Sequence, residues 1–297
     1  MSTVCAVVLT YNRKDLLDKC LVSLITQDYQ ISKIVVVDNC SNDGTDEVLD
    51  KYRNKICCVK LDKNYGASYG FNVSLKEGYK SGCDYIWVMD DDTIPEYDAL
   101  RELIHATEEI KIADKLGFVC SDVRWTDGNA CKMNIPRVNE EWNEYVNKKL
   151  IRVESCSFVS ALFPRNVVKA VGFPISDFYI WATDLEYTLR ITKNYGYVGY
   201  YAIDSRVIHA MKSNNRTDIV LDSSERISRY QYSYRNQMFI AKKDGFLPAF
   251  KSYVYGIRTI IRVLRVCKKD KMKKSWAVFK GINNGIIFNP RIEYIQE

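Results

Sequence analysis

Long apolar runs are missing from this sequence. Stretches such as "IVVV" at 34–37 fall far short of the about 20 residues that a membrane-spanning helix needs, so no span is expected. The opening "MSTVCAVVLTYNR" has no basic start followed by a longer apolar stretch, so no secretory signal is expected either. C-x-x-C pairs are also lacking, and the ten cysteines stand singly apart from Cys57-Cys58. Together these absences predict reduced, partly buried thiols in a cytosolic protein. No G-x-G-x-x-G or G-x-x-x-x-G-K-[ST] loop occurs, since Gly66 and Gly70 in "DKNYGASYGFN" have another spacing. An ordinary dehydrogenase and a P-loop nucleotidase are thereby excluded. There is no internal repeat and, apart from a lysine-rich patch near the end, no low-complexity segment.

What is present is a globular composition, 47% hydrophobic and 27% charged over 297 residues. That length suits one large domain, or a domain with an appendage. The net charge of +6 is unevenly placed: residues 250–280 hold ten Lys or Arg and one acid, Asp270, leaving the rest of the chain near −3. A basic segment on a near-neutral body points to phosphate or anionic lipid, with a solvated helix face as the plain alternative.

Strand-like and helix-like patterns alternate four times in the first 90 residues. "TVCAVVL", "SKIVVVDN", "KICCVKL" and "DYIWVM" read as buried strands, each followed by a polar turn. Between them "KDLLDKCLVSLITQ" places apolar residues at helical spacing. This is the pattern of an α/β fold, a Rossmann-like, mostly parallel sheet with helices on both faces. Ligands collect at the carboxyl ends of such strands; here those ends read "TYNR", "DN", "DKN" and "DDD". Further strands are expected in "KLGFVCSDVRW", "RVESCSFVSALFP" and "VGYYAIDSRVIHA", and helices from about 222 onward.

Three constellations carry chemistry. Asp90, Asp91 and Asp92 close the fourth strand, and no Lys or Arg lies within six residues of Asp91. Adjacent carboxylates repel, so a divalent cation is the first candidate for the missing positive charge. In an extended chain Asp90 and Asp92 would share a face, with Asp91 opposite; the alternative is a polar turn or helix cap. In "SDFYIWATDLEYTLRI", Asp184 and Glu186 begin a helix beside Phe178, Tyr179, Trp181 and Tyr187. Helix capping accounts for one of the two acids, and a general base beside a sugar-stacking wall accounts for the other. His209, one of only two histidines, ends a strand and is read either as structural or as a ligand; His105, on an amphipathic helix, is read as structural.

Together these residues resemble the family 2 glycosyltransferases of GT-A fold. "VVLTYNRKDLLDKCLVSLITQ" with "IVVVDNCSNDGT" looks like that family's nucleotide-binding opening, and "NYGASYGFNVSL" with "DYIWVMDDDT" like its sugar-nucleotide loop and metal motif. "FYIWATDLEYTLRI" looks like its acceptor and base segment. The triple aspartate and the later aromatic-W-x-x-D-x-E are most similar to bacterial UDP-galactofuranosyltransferases, with rhamnosyltransferases as relatives. The late "YSYRNQMF" and "FKGINNGI" also look like segments of these enzymes. One departure stands out. Where the galactofuranosyl enzymes often carry two acids this chain has Thr183-Asp184, which bears on donor or acceptor preference and leaves the base in place.

The resemblance implies a catalytic domain over 1–221, with a nucleotide-binding half at 1–95 and an acceptor half at 96–221. Residues 222–297 would form a helical, basic, membrane-proximal region. It implies that Thr10, Tyr11, Arg13, Asp38, Asn39, Asn64, Gly66 and Asp91 hold the nucleotide-sugar. For Asp38, capping the "CSNDGT" turn is the alternative. Asp90, Asp92 and His209 would hold Mn²⁺ or Mg²⁺, Asp184 would be the base, and Trp181 and Glu186 would position the acceptor. The implied reaction is inverting transfer of galactofuranose from UDP-galactofuranose, or of rhamnose from dTDP-rhamnose, to a lipid-linked glycan or oligosaccharide acceptor in cell-surface polysaccharide synthesis such as O-antigen. A basic amphipathic helix carrying Phe250, Val254, Ile257, Ile261 and Leu264 suits peripheral attachment to the anionic inner face of the cytoplasmic membrane. A nucleotidyltransferase would need a free Lys or Arg near the first loop, where only Arg13 and Lys14 stand. A nucleic-acid binder would need aromatics regularly interleaved through the basic tail, a pattern this tail lacks, so no nucleic-acid partner is expected.

Overall fold

The computed structural model describes residues 1–111 and 115–296. Its first part follows the alternation in the sequence: β1 (Val4–Thr10), α1 (Lys14–Ile25), β2 (Lys33–Asp38), α2 (Thr45–Lys51), β3 (Cys57–Lys60), α3 (Ala67–Lys80) and β4 (Tyr85–Asp90). All seven residues of β1 are buried because both faces are covered. Val4, Ala6 and Val8 pack with Leu17, Leu21 and Leu24 of α1, whereas Cys5, Val7 and Leu9 pack with Phe71 and Leu75 of α3. A period of two along the strand thus feeds helices on opposite sides.

The second part is β5 (Thr93–Pro95), α4 (Ala99–Glu109), β6 (Leu116–Trp125), β7 (Arg137–Val138), β8 (Leu150–Ser155), β9 (Ala161–Pro164), α5 (Arg165–Val171), α6 (Thr183–Leu189) and β10 (Val198–His209). The strands form one sheet in the order β3-β2-β1-β4-β9-β6-β10-β8-β7, with β5 added to β10. Strands β3, β2, β1, β4, β6 and β10 all run one way. One expectation is corrected here: "RVESCSFVSALFP" is not a single strand. Its first half pairs with β10 and its second half with β4 and β6, so the chain crosses the sheet at 156–160.

Helices α7 (Ile227–Lys243), α8 (Phe246–Val266) and α9 (Lys271–Ile287) close the chain around Tyr230, Tyr234, Met238, Val263, Val278 and Ile282. Gly281 and Gly285 let α9 lie directly on α7: a Cβ at Gly285 would sit 2.9 Å from the Arg235 carbonyl and 2.5 Å from Met238 Cβ. Among the described residues no helix is long and apolar enough to cross a membrane. All ten cysteines are free; seven are buried, Cys40 is intermediate, and Cys57 and Cys58 are exposed on edge strand β3.

Candidate active site

The carboxyl ends of β1 and β4 lie side by side, with Leu9 opposite Asp90. The positive charge that local sequence could not supply arrives from the β1–α1 turn. Arg13 Nη1 donates to Asp91 Oδ1 at 3.1 Å and to Asp92 Oδ2 at 2.5 Å. Local sequence offered a divalent ion as the first candidate for that charge; for Asp91 and Asp92 the fold itself brings an arginine, 78 positions from Asp91. The alternating-face argument is corrected too, because residues 91 and 92 form a turn rather than extended chain. Asp91 Oδ2 also accepts from the Thr10 hydroxyl at 2.8 Å and the Tyr11 N–H at 3.3 Å. Thr10, Arg13 and Asp91, expected to hold the nucleotide, thus bind one another and fix the first loop, leaving the Tyr11 ring exposed. Burial pushes the Asp91 carboxyl up to about 6, against the pull of Arg13.

His209 reaches this cluster through sheet pairing. Strand β5 runs antiparallel to β10 with His209 opposite Thr93, and the Ala210 N–H donates to the Asp92 carbonyl at 2.8 Å. His209 Nε2 lies 3.1 Å from Asp92 Oδ1, while its Nδ1 lies 2.9 Å from Asn134 Oδ1. With Nδ1–H donating to that amide oxygen, Nε2 is the nitrogen turned toward the acids. Burial works against charge on the ring, but Asp92, then Cys131 and Asp90, hold it up to about 10. Burial, then Asp92, drives the Asp90 carboxyl upward, and its side-chain oxygens accept no hydrogen bond from any described residue.

Asp92 Oδ1 is buried and, beyond this approach of the ring, has no hydrogen-bond partner among the described residues. A divalent ion that displaced the Nε2 proton would find an oriented imidazole nitrogen and a carboxylate oxygen side by side, with its remaining oxygens supplied by a diphosphate and water. The expected three-ligand cage is not assembled, since no three His, Cys, Asp or Glu side chains among the described residues are grouped to hold a metal. What the fold builds is a two-point clip, Asp92 with His209, and Asp90 at its edge.

At the end of β2, Asp38 is fully buried. Its Oδ1 accepts from Ser41 N–H at 2.9 Å and Ser41 hydroxyl at 2.6 Å, capping the turn, while Oδ2 has no hydrogen-bond partner among the described residues. Both sequence readings of Asp38 thus retain an atom. Asn39 Nδ2 donates to Asn64 Oδ1 at 3.0 Å, and Asn64 Oδ1 also accepts from the Gly66 N–H at 2.8 Å. These residues brace the loop before α3. Gly66, at φ +88°, leaves no room for a side chain: its Cβ would lie 2.3 Å from the Tyr179 carbonyl oxygen.

That contact ties the nucleotide-side loop to the segment preceding α6. Ser68 N–H donates to the Tyr179 carbonyl at 3.1 Å, and the Ser68 and Thr183 hydroxyls share a 2.6 Å bond. Asp184 follows at the first turn of α6, half-buried, with Oδ1 accepting from Leu185 N–H at 2.8 Å. Burial raises its carboxyl above the ordinary range, opposed by backbone N–H groups, and no cation among the described residues pairs with it. Glu186, two residues on, is turned inward against Arg190 at 3.0 Å, and Arg190 also holds the Val171 and Phe173 carbonyls. Trp181 packs on Tyr230 with ring centroids 5.1 Å apart, beneath the Arg226 guanidinium. Tyr179, Trp181 and Ala182 all have φ of 63°. Ile180 N–H closes back on the Phe178 carbonyl at 2.7 Å, which makes Tyr179 the centre of a positive-φ γ-turn. Each such residue costs about 1–3 kcal/mol and persists only where its surroundings over-determine it.

The family model for glycosyl transferase family 2 matches residues 5–169, more than half of the chain. The chain belongs to glycosyl transferase family 2. This family 2 enzyme is 25% identical to galactofuranosyltransferase GlfT1 of Mycolicibacterium smegmatis, across 91% of this chain and 98% of that one. Among solved structures it resembles S. aureus TarS residues 1–349 in complex with UDP, with a TM-score of 0.57 at 17% identity over 96% of this chain and 72% of that one. It also resembles GalNAc-T7 with UDP, GalNAc and Mn²⁺, with a TM-score of 0.64 at 14% identity over 95% of this chain and 55% of that one. The fold is GT-A, and the protein is a glycosyltransferase.

Four residues that shape this glycosyltransferase's site carried no assignment from sequence. Asn134 lies in an irregular stretch with no periodicity to read. Ser68 stands inside the quoted "NYGASYGF" loop, but nothing local indicates its bond to Thr183. Arg235 and Asn236 lie in "YSYRNQMF", a motif legible only as a resemblance. Asn236 is fully buried and donates to the carbonyls of Phe178, Ile180 and Trp181 at 3.0, 3.2 and 3.0 Å.

Proposed function

We propose that this enzyme transfers galactofuranose from UDP-galactofuranose to a sugar hydroxyl of a lipid-linked glycan, with inversion, in cell-surface polysaccharide synthesis. The carrying observation is Asp184: a carboxylate raised by burial, with no cation beside it among the described residues, tied through Thr183 and Ser68 to the nucleotide-side loop. A proton acceptor in that state suits a hydroxyl substrate near neutral pH. The acceptor oxygen forms a bond to the anomeric carbon and its proton passes to Asp184; the bond from that carbon to the diphosphate oxygen breaks, and UDP leaves. Asp38 Oδ2, buried and unpartnered, would take the uracil N3–H, and the exposed Tyr11 ring would cover the base. Asp92 and His209, with Asp90 adjacent, would hold Mn²⁺ or Mg²⁺, which when bound supplies charge neutralisation at the departing diphosphate. The relative's activity supports galactofuranose; rhamnose from dTDP-rhamnose is the second donor to test. A nucleotidyltransferase is disfavoured, because Arg13 is engaged by Asp91 and Asp92 and Lys14 lies 3.9 Å from Glu47.

The decisive experiment is a donor panel. UDP-galactofuranose, UDP-galactose, UDP-glucose and dTDP-rhamnose are incubated with Mn²⁺ and a glycan acceptor, and nucleotide diphosphate release is followed. Turnover with UDP-galactofuranose above the others supports the reading. Preference for dTDP-rhamnose would replace it.

The same proposal places the enzyme peripherally on an anionic membrane face. Phe250, Ile257, Ile261 and Leu264 project outward from α8, next to Arg258 and Arg265, which form no ion pair among the described residues. On α9, Trp276 and Phe279 are also exposed and stack at 5.6 Å. Apolar rows with adjacent cations suit insertion to headgroup depth. Equal sedimentation with neutral and anionic liposomes would count against this placement.

A further inference from the structure

Helix α7 contributes nothing that would touch donor or acceptor in the proposed mechanism, yet it grips the segment that delivers the base. We infer that Asn236, assisted by Arg235, is the positioning residue for Asp184, so that the C-terminal helical layer is a working part of the active site. The inference rests on the assignment of Asp184 as base.

The stretch from Asp177 to Ala182 contains three non-glycine residues in the left-handed region, one of them at the centre of a γ-turn. Left to itself, such a stretch relaxes toward the β or right-handed helical regions, and the first turn of α6 would move with it. Two sides prevent this. From the nucleotide side, Ser68 holds the Tyr179 carbonyl and the Thr183 hydroxyl. From the opposite side the Asn236 amide, with no exposure to water, is shared by the carbonyls of Phe178, Ile180 and Trp181. Arg235 adds bonds to the carbonyls of Asp177 at 2.6 Å and Phe178 at 3.1 Å, with its Nε on Asn236 Oδ1 at 3.0 Å.

The chemistry of position 236 is narrow. Three converging carbonyls need a donor, so aspartate would set a carboxylate against them, and alanine would take the amide donor from all three, leaving Phe178 its bonds from Ile180 N–H and Arg235. Helix α7 is itself held in place by the close approach of α9. A Cβ at Gly281 would meet the Gln231 carbonyl at 2.7 Å, and one at Gly285 the Arg235 carbonyl, so only glycines permit this packing. Both late motifs then share one purpose. One carries the clamp, and the other presses it into place.

The test compares Asn236→Ala and the milder Arg235→Met with Lys242→Ala. Lys242 bonds to the Ile286 and Phe288 carbonyls in the same helical layer without touching the segment. Three readouts are taken: hydrogen exchange across 177–186, UDP binding by calorimetry, and kcat and donor KM with UDP-galactofuranose. For Asn236→Ala, exchange in 177–186 should rise about tenfold or more while β1–β4 stay protected. UDP affinity and donor KM should hold within about threefold, and kcat should fall by about a hundredfold, the usual consequence of a misplaced group. Arg235→Met should move the same way by less, and Lys242→Ala should lower the melting temperature while leaving kcat within about twofold. The inference is overturned if Asn236→Ala or Arg235→Met keeps both the protection and the kcat of the parent. It is equally overturned if Lys242→Ala lowers kcat as far as Asn236→Ala does. Should the parent transfer no sugar at all, the proposed function fails, and protection across 177–186 still decides whether the clamp exists.

Discussion

The two acidic clusters of this enzyme solve the problem of buried negative charge in opposite ways. At the end of β4, Asp91 and Asp92 are met by Arg13 and His209, so two of the three charges are balanced within the protein. At the start of α6, among the described residues, Glu186 alone receives a cation, Arg190, while Asp184 has backbone N–H groups. Balanced charge builds structure and an anchor for a ligand. Unbalanced charge, whose ionised form the protein does little to stabilise, is what a proton acceptor requires. Two carboxylates two residues apart thus have different work, set by which of them faces inward.

Substitutions sharpen this contrast. The largest effect is expected at Asp184. Asp184→Asn keeps an oxygen for the Leu185 N–H, so fold and UDP affinity should persist while kcat drops about a thousandfold; near-parental turnover in a steady-state assay would remove Asp184 from the mechanism. Next comes Glu186→Gln, which leaves the Arg190 guanidinium buried without its carboxylate. Urea unfolding should show a loss of about 3 kcal/mol, and kcat of the folded fraction should change by less than about threefold. If kcat collapses and stability holds, the two acids have been assigned the wrong way round. Arg13→Met should be milder, about 1–2 kcal/mol, because the Arg13 side chain is 48% exposed and solvent screens part of its interaction.

The smallest effect concerns pH. Asp184 has a folded-state carboxyl raised above its unfolded value. Its contribution to stability is therefore fully present below the unfolded value, about 3.9, and is lost as pH rises through the folded value. Asp184→Asn should accordingly match the parent near pH 4 and become the more stable protein toward pH 8. Transfer runs the other way, falling in acid as the base protonates. Parallel melts of the two proteins across pH test the first statement, and a kcat/KM profile tests the second. A parent that gains stability over Asp184→Asn as pH rises would show that the carboxylate is stabilised, and so ill suited to take a proton.

Much of the fold was legible from local pattern. Alternating apolar runs and helical stripes require parallel strands with helices on both faces, because that is how both sides of β1 become buried. The acids at strand ends were legible for the same reason: a sheet gathers its carboxyl ends along one edge. What local sequence misread was their counter-charge. Arg13 lies 78 positions from Asp91 and gives no local sign of the pairing. The reach of His209 to Asp92 depends on β5 adding to β10, a three-residue strand inside what reads as a polar turn.

By itself, then, the sequence determined the succession of strands and helices in the first half, the residue types along the carboxyl edge and the uneven charge, since each follows from periodicity or composition over a few neighbouring positions. Only the tertiary structure decided which acid is paired and which is left unpaired, and that Asn236 holds the strained segment ahead of Asp184. The physical reason is that ionisation and backbone strain are fixed by what lies within a few ångströms in space, and those neighbours come from 50 to 120 positions away along the chain.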